Sequence, residues 1–166
     1  MANTYELIQA QTLNSSASSV TFSSIPSTYT DLLVKASIRN TIDGDGMYVY
    51  FNSITSGYST RQLFGTGTSA NSNTPSQTNF ITLGYTTTIT ANTFGNMEFY
   101  VPNYAGSNNK SLSGDSVQEG NQTQAYMNLV AGLMSNTAAI STLIIGSQSG
   151  SFVQYSSFYL YGIKNS

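Results

Sequence analysis

Two aspartates separated by a glycine are the first residues of this sequence whose spacing could bind a metal ion. Asp43 and Asp45 lie in the segment NTIDGDGMYVYFN. Calcium needs about six to eight oxygen ligands, and an EF-hand loop closes with a glutamate at its twelfth position. Counted from Asp43, that position holds Ile54. We therefore predict no metal site but a hairpin turn between the strands around Ile38 and Val49, with a weakly held, partly hydrated ion as the alternative.

A serine in the segment SGDSV resembles the Gly-Asp-Ser block of a hydrolase family. Ser116 would need a general base to become a nucleophile, and the chain contains no histidine. Lys110 is the remaining candidate base. A serine in a serine-rich chain is more commonly a turn residue, so we predict no catalytic nucleophile.

Two glutamates, Glu98 and Glu119, could in principle form the carboxylate pair of a glycosidase. Glu98 lies between Met97 and Phe99 in a strand-like segment, so it points away from the face that these apolar residues share. Nothing else in the sequence supports such a pair. We predict no enzyme activity, no catalytic residue and no cofactor.

Tyrosines form the most informative pattern. Each lies on the face of a predicted strand opposite its apolar residues, and the set comprises Tyr48, Tyr50, Tyr100, Tyr159 and Tyr161. These rings could stack on sugars or pack against a neighbouring subunit. The chain has no tryptophan, whose larger ring sugar sites commonly use, so we favour a subunit interface.

Strict alternation of apolar and polar residues predicts the elements that position these side chains. It is clearest in DLLVKASIRN, where Leu32, Val34, Ala36 and Ile38 share one face. About ten segments fit strands by this criterion. They include TQAYMNLVAGLMSNTAA, in which Met127, Leu129, Ala131 and Leu133 share a face, whereas Gly65–Asn79 is predicted to be a surface loop. We therefore predict an all-β fold, with residues 1–166 forming a single antiparallel, jelly-roll-like β-sandwich.

Charge and composition exclude several classes of function. Charged residues make up 7% of the chain and the net charge is −2, so there is no basic stripe for nucleic acid. No apolar run is long enough to span a membrane. The predicted strands contain few lysines or prolines to protect sheet edges, which favours a symmetric homo-oligomer, with a trimer as the preferred order.

Segments along almost the whole chain resemble short virion proteins of tailed bacteriophages. They are MANTYELIQAQTL, YSTRQLFGTG, ANTFGNMEFYVPNYAGSNNKSLSGDSV and FVQYSSFYLYGI. The resemblance implies a β-sandwich exposed on the outer surface of the virion, assembled in the host cytoplasm. It contains no catalytic signature.

Two positions on such a virion are compatible with the resemblance. A head decoration (cement) protein would bind the major capsid protein, often as a trimer, and stabilise the shell. A tail-fibre or receptor-binding domain would instead recognise host surface glycans. The sequence contains no coiled-coil heptads or collagen-like triplets that would join it to a fibre shaft, so we expect capsid decoration.

Overall fold

The computed structural model describes residues 4–86, 90–121 and 125–164. These residues form twelve strands and no helix that could cross a bilayer. The strands are β1 (Tyr5–Thr12), β2 (Ser19–Phe22), β3 (Asp31–Ile38), β4 (Gly46–Phe51), β5 (Tyr58–Gly65), β6 (Ala70–Asn73), β7 (Ile81–Tyr85), β8 (Gly95–Val101), β9 (Lys110–Gln118), β10 (Tyr126–Met134), β11 (Leu143–Ser147) and β12 (Ser157–Ile163).

The strands form two sheets that pack face to face. The large sheet has the order β1-β12-β3-β8-β9-β10-β5-β6, and the small sheet has the order β2-β11-β4-β7. All neighbouring strands run antiparallel. The predicted all-β antiparallel sandwich of jelly-roll type is thereby confirmed, with more strands than the sequence indicated.

The core between the sheets follows the alternation of the central strands. In β3 the side chains of Leu32, Val34 and Ile38 are buried, and Val34 lies directly opposite Phe99 of β8 and Leu160 of β12. The small sheet contributes the inward face of β4 and β11. Period-2 patterning therefore predicts the core correctly where both sheets are apolar.

Two strands lie in segments that the sequence assigned to loops or turns. The strand β6 occupies part of Gly65–Asn79 and pairs with β5, placing Ser72 opposite Leu63. The strand β9 contains SGDSV, which has low strand propensity, but β8 and β10 pair with it on both sides. Tertiary pairing thus outweighs local propensity here.

The prediction of a hairpin at Asp43 and Asp45 is wrong, because this segment does not join two neighbouring strands of one sheet. The strand before it, β3, belongs to the large sheet, and the strand after it, β4, belongs to the small sheet. The segment crosses from one sheet to the other. Gly44 does adopt a positive φ of 67°, which a turn of this kind requires of glycine.

Candidate functional site

The outward side of β9, β10 and β5 carries an exposed row of aliphatic side chains, which we call the aliphatic face. Its members and their exposed fractions are Leu63 (54%), Val117 (40%), Met127 (62%), Leu129 (59%) and Leu133 (38%). An apolar residue exposed singly is common, but a contiguous group of large ones on one sheet indicates a contact surface.

Strand register makes these side chains neighbours. Leu129 of β10 lies directly opposite Leu63 on one side and Asp115 on the other. One pleat repeat further along, Ala131 lies between Arg61 and Ser113. Shallow grooves run on both sides of Leu129. The face is thus a row of large side chains beside a depression formed by small ones.

The inward side of the same strands carries several buried polar residues beside apolar core residues such as Val130 and Met134. Gln62, Asn128, Ser116 and Gln118 are all at most 3% exposed. The Asn128 side-chain N–H donates to the Ser116 hydroxyl (3.1 Å), which in turn donates to the Leu83 carbonyl oxygen (3.3 Å). The alternation in β10 therefore predicts a strand correctly, but Met127, Leu129 and Leu133 point to solvent, while Asn128 and Gly132 point inward beside the buried Val130 and Met134.

The candidate nucleophile Ser116 lies in this buried network, closed to a substrate in solution. Lys110 lies six residues away in the same strand, about 20 Å at strand rise. Its ammonium donates to the carbonyl oxygens of Gly106 (2.7 Å), Thr137 (3.3 Å) and Asn108. Burial lowers the pKa of Lys110, and these three acceptors fix the side chain in a structural position.

The two candidate acids are also separated. Glu98 lies opposite Asp115 in the register of β8 and β9, and Glu119 follows four residues later, about 13 Å further along. Glycosidase pairs lie roughly 5–10 Å apart. Glu98 forms an ion pair with Lys35 (2.5 Å), and this hydrogen bond raises the pKa of Lys35. Glu119 accepts a hydrogen bond from the Asn121 backbone N–H (2.6 Å).

The predicted interface tyrosines divide between the two sheets. Tyr100, Tyr159 and Tyr161 lie half-buried on the outward side of the large sheet, while Tyr48 and Tyr50 lie half-buried on the outward side of the small sheet. All five alternate with buried residues along their strands, although Tyr50 also packs against the core. They do not form one surface, because the two outward sides face in opposite directions.

Internal contacts engage some of these rings. The Tyr100 hydroxyl donates to the Asp31 carboxylate (2.9 Å), and burial together with this bond raises the pKa of Tyr100. Tyr48 stacks on Phe80, with ring centroids 4.9 Å apart, and its pKa is raised by burial. Tyr100 and Tyr48 therefore have structural roles, while parts of their rings remain exposed.

Asp45 organises the connection between the sheets. Its carboxylate accepts hydrogen bonds from the Asn40 side-chain N–H (3.0 Å) and the Ser147 hydroxyl. The backbone N–H groups of Ser149 and Gly150 donate to the same carboxylate at 3.1 Å and 3.2 Å. These hydrogen bonds hold the surrounding loops in place around the buried Asp45 carboxylate. Asp43 is exposed.

Sequence reasoning did not predict the aliphatic face as a site. It grouped the aliphatic residues of β10 correctly but left their direction open. The signal that could have found it is the opposite face of the strand, where Asn128 and Gly132 alternate with Val130. Gly132 packs so closely against Ile81 of β7 that an added Cβ would lie 2.7 Å from that side chain. The side of β10 that carries Gly132 is therefore the side that packs closely on the small sheet.

Comparison with known proteins gives no family assignment. No protein-family model matches the chain, and no curated protein matches it. Among solved structures, an exo-inulinase from Aspergillus awamori is similar with a TM-score of 0.48 and 12% identity, over 96% of this chain and 29% of the inulinase. The galectin LEC-6 from Caenorhabditis elegans is similar with a TM-score of 0.37 and 8% identity, over 95% of each chain. Likenesses this weak carry no argument about function.

Proposed function

We propose that this protein is a non-enzymatic structural component of a tailed-bacteriophage virion, a decoration protein that binds the outer surface of the head as an oligomer and stabilises the shell. The observation that carries the proposal is that both broad sides of the sandwich bear contact-forming side chains. Tyr48 and Tyr50 lie on one side, and the aliphatic face lies on the other. A protein that bridges neighbours in a lattice needs two such separate surfaces.

The placement of the charges adds support. Asp31, Asp45 and Lys110 are buried and bound internally, and Lys35 is paired with Glu98. Because charged residues make up only 7% of the chain, attachment would depend mainly on apolar and aromatic groups. Binding of this kind changes little with ionic strength, since screening acts on exposed charges.

The location of the protein on purified virions tests the proposal. Quantitative mass spectrometry should find a copy number comparable with that of the major capsid protein, and cryo-electron microscopy should find the sandwich on the head. A few copies at the tail would contradict decoration.

Rebinding to shells stripped of this protein tests the contact surface. Tyr50→Ser should weaken rebinding at least about tenfold, because it removes an aromatic contact from the outward side of the small sheet. The matched control is Tyr155→Ser, which changes a tyrosine that is 68% exposed in a loop outside both surfaces. Equal rebinding by both variants would contradict this attachment surface.

A second candidate function is recognition of host surface glycans by a tail-fibre domain. A shallow depression on the large sheet is lined by Tyr5, Tyr161 and Leu33, with Lys35 and Glu98 beside them. Aromatic faces next to polar groups suit sugar rings. Glycan-array binding that is lost in Tyr161→Ala but kept in Tyr155→Ala would favour this function over decoration.

A further inference from the structure

The aliphatic face differs from an ordinary scatter of exposed apolar residues because its five large side chains lie together on one side of three adjacent strands, whose other side buries several polar groups. Large aliphatic groups point to solvent while Gln62, Asn128 and Ser116 point inward. A partner that covers this part of the sheet would remove most of its exposed apolar surface from water. The face is therefore suited to a lasting contact.

Two charges flank this face on opposite sides. Arg61 projects from β5 and Asp115 from β9, with β10 between them. The Arg61 guanidinium donates to the adjacent Thr60 carbonyl oxygen (2.8 Å). Neither residue takes part in the ion pairs Lys35–Glu98 and Lys164–Glu6. A positive and a negative group thus lie on either side of an apolar centre.

We propose that the aliphatic face binds a second copy of this chain, related to the first by a two-fold axis. This axis runs parallel to β10 and lies between the large sheets of the two copies. Such a rotation places β10 over β10 and β5 of one copy over β9 of the other. Arg61 then lies one pleat repeat, about 7 Å, along the strand from the second copy's Asp115, across a gap of about 10 Å between the packed sheets. Together the two side chains can span this separation of about 12 Å. Because of the two-fold symmetry, the contact between Arg61 and Asp115 occurs twice in the dimer.

Shape and size fit the same arrangement. The rotation carries the side chain of Leu63 over β9 at the level of Asp115, one pleat repeat from Ser113 in the neighbouring depression. The three strands that carry the face cover roughly 14 Å by 30 Å, or about 430 Å², and the outward sides of β8 and β6 beside them extend this to about 700 Å². Specific interfaces bury about 800 Å² on each partner. A second copy therefore matches the face in charge, and its contact approaches the area of a specific interface when it extends onto β8 and β6.

Light scattering coupled to size-exclusion chromatography tests this inference, which is independent of where the protein lies on a virion. The purified protein should be a dimer at micromolar concentration. Leu129→Asp should raise the dissociation constant at least about tenfold, because it places a charge in the apolar centre. The matched control is Leu7→Asp, which changes a leucine that is 53% exposed on the outward side of β1 in the same sheet.

A monomer or a trimer of the unmodified protein would overturn the two-fold contact, and so would a dimer that Leu129→Asp leaves intact. Because Leu129 points outward, thermal unfolding followed by circular dichroism should show that the variant is folded. A monomer that binds stripped capsid shells through this face would assign the face to the shell instead.

Exchange of the two charges tests the geometry. Arg61→Asp and Asp115→Arg should each weaken the dimer, because each variant opposes like charges across the interface. The double variant Arg61→Asp/Asp115→Arg should recover most of the lost affinity, since it restores both opposite-charge contacts in the reverse sense. Additive losses in the double variant would overturn the proposed axis.

Discussion

The two halves of the large sheet differ in how many large apolar side chains they expose and how many polar side chains they bury. In β12, β3 and β8 the inward residues are apolar, as in the row of Leu160, Val34 and Phe99, and the outward ones include tyrosines and the Lys35–Glu98 pair. In β9, β10 and β5 buried polar residues such as Gln62 and Asn128 share the inward side with core residues such as Val130, and large aliphatic residues such as Leu63 and Leu129 are exposed on the outward side. The same sheet therefore has one half that stabilises the sandwich and another whose apolar groups remain available for contact.

This difference shows that alternation identifies a strand without identifying its buried side. The choice depends on what the facing sheet offers. Next to β10 the facing strand β7 approaches so closely that Gly132 fits and a larger residue does not. Stability and association should consequently respond to mutation in different halves, and four substitutions test this separation.

The largest effect is expected for Phe99→Ala in the first half. Phe99 is fully buried, so removing its ring should lower the free energy of unfolding by about 3–5 kcal/mol. Urea denaturation should measure this in an Arg61→Asp background, so that association does not contribute. Leu129→Ala in the second half is the control and should cost less than about 1 kcal/mol, because its side chain already contacts water. Equal losses would contradict the separation.

Tyr58→Phe should show that hydrogen bonds stabilise the inner side of β5. The Tyr58 hydroxyl accepts from the Phe51 backbone N–H (2.9 Å), and losing this acceptor should cost about 1–3 kcal/mol. Burial raises the pKa of Tyr58 from its ordinary value of 10.0 to about 12. Between these values the unfolded chain loses the proton first, so stability falls as pH rises through this window.

Alkaline denaturation measures the pH part of that prediction. The decline between pH 10 and 12 should be shallower in Tyr58→Phe than in the unmodified protein, because the buried hydroxyl no longer titrates. Tyr155→Phe, in an exposed loop, should leave the decline unchanged. A decline of the same steepness in both variants would count against the role of Tyr58.

Gln62→Leu is expected to stabilise the second half. Gln62 is 3% exposed, and neither its side-chain N nor its O has a hydrogen-bond partner among the described residues. Replacing it with an apolar residue should raise the free energy of unfolding by about 1–2 kcal/mol. Asn128→Leu is the matched variant and should be destabilising, because it removes the donor to Ser116. A lower melting temperature for Gln62→Leu would contradict this prediction.

The smallest effect is expected for Lys35→Met. Its ion pair with Glu98 has side chains that are 55% and 43% exposed, so solvent screens the attraction. The loss should be below about 1 kcal/mol and should shrink further at high salt. Lys164→Met, which breaks the exposed pair with Glu6, should behave alike. A loss of more than about 2 kcal/mol would show that this pair holds the first half together.

Much of the fold follows from the sequence because local pattern and tertiary environment agree in β3, β4, β8 and β12. The aliphatic face was not predictable as a site, since Met127 and Leu129 alternate in the same way whether they point in or out. The strand β9 was missed because its serines, glycine and aspartate favour turns. The carboxylate of Asp45 looked like a possible ligand, and only the folded chain shows the donors that surround it.

The order of strands in the sheets also constrains how the chain folds. Among the described residues, β1 pairs only with β12 and β2 pairs only with β11, so both N-terminal strands pair with segments that begin after residue 142. During synthesis these strands must remain unpaired until most of the chain has emerged. Closing such distant contacts is slow, and open strand edges invite association between incomplete chains. Pairing of β11 with β2 and of β12 with β1 is thus the step that completes the sandwich.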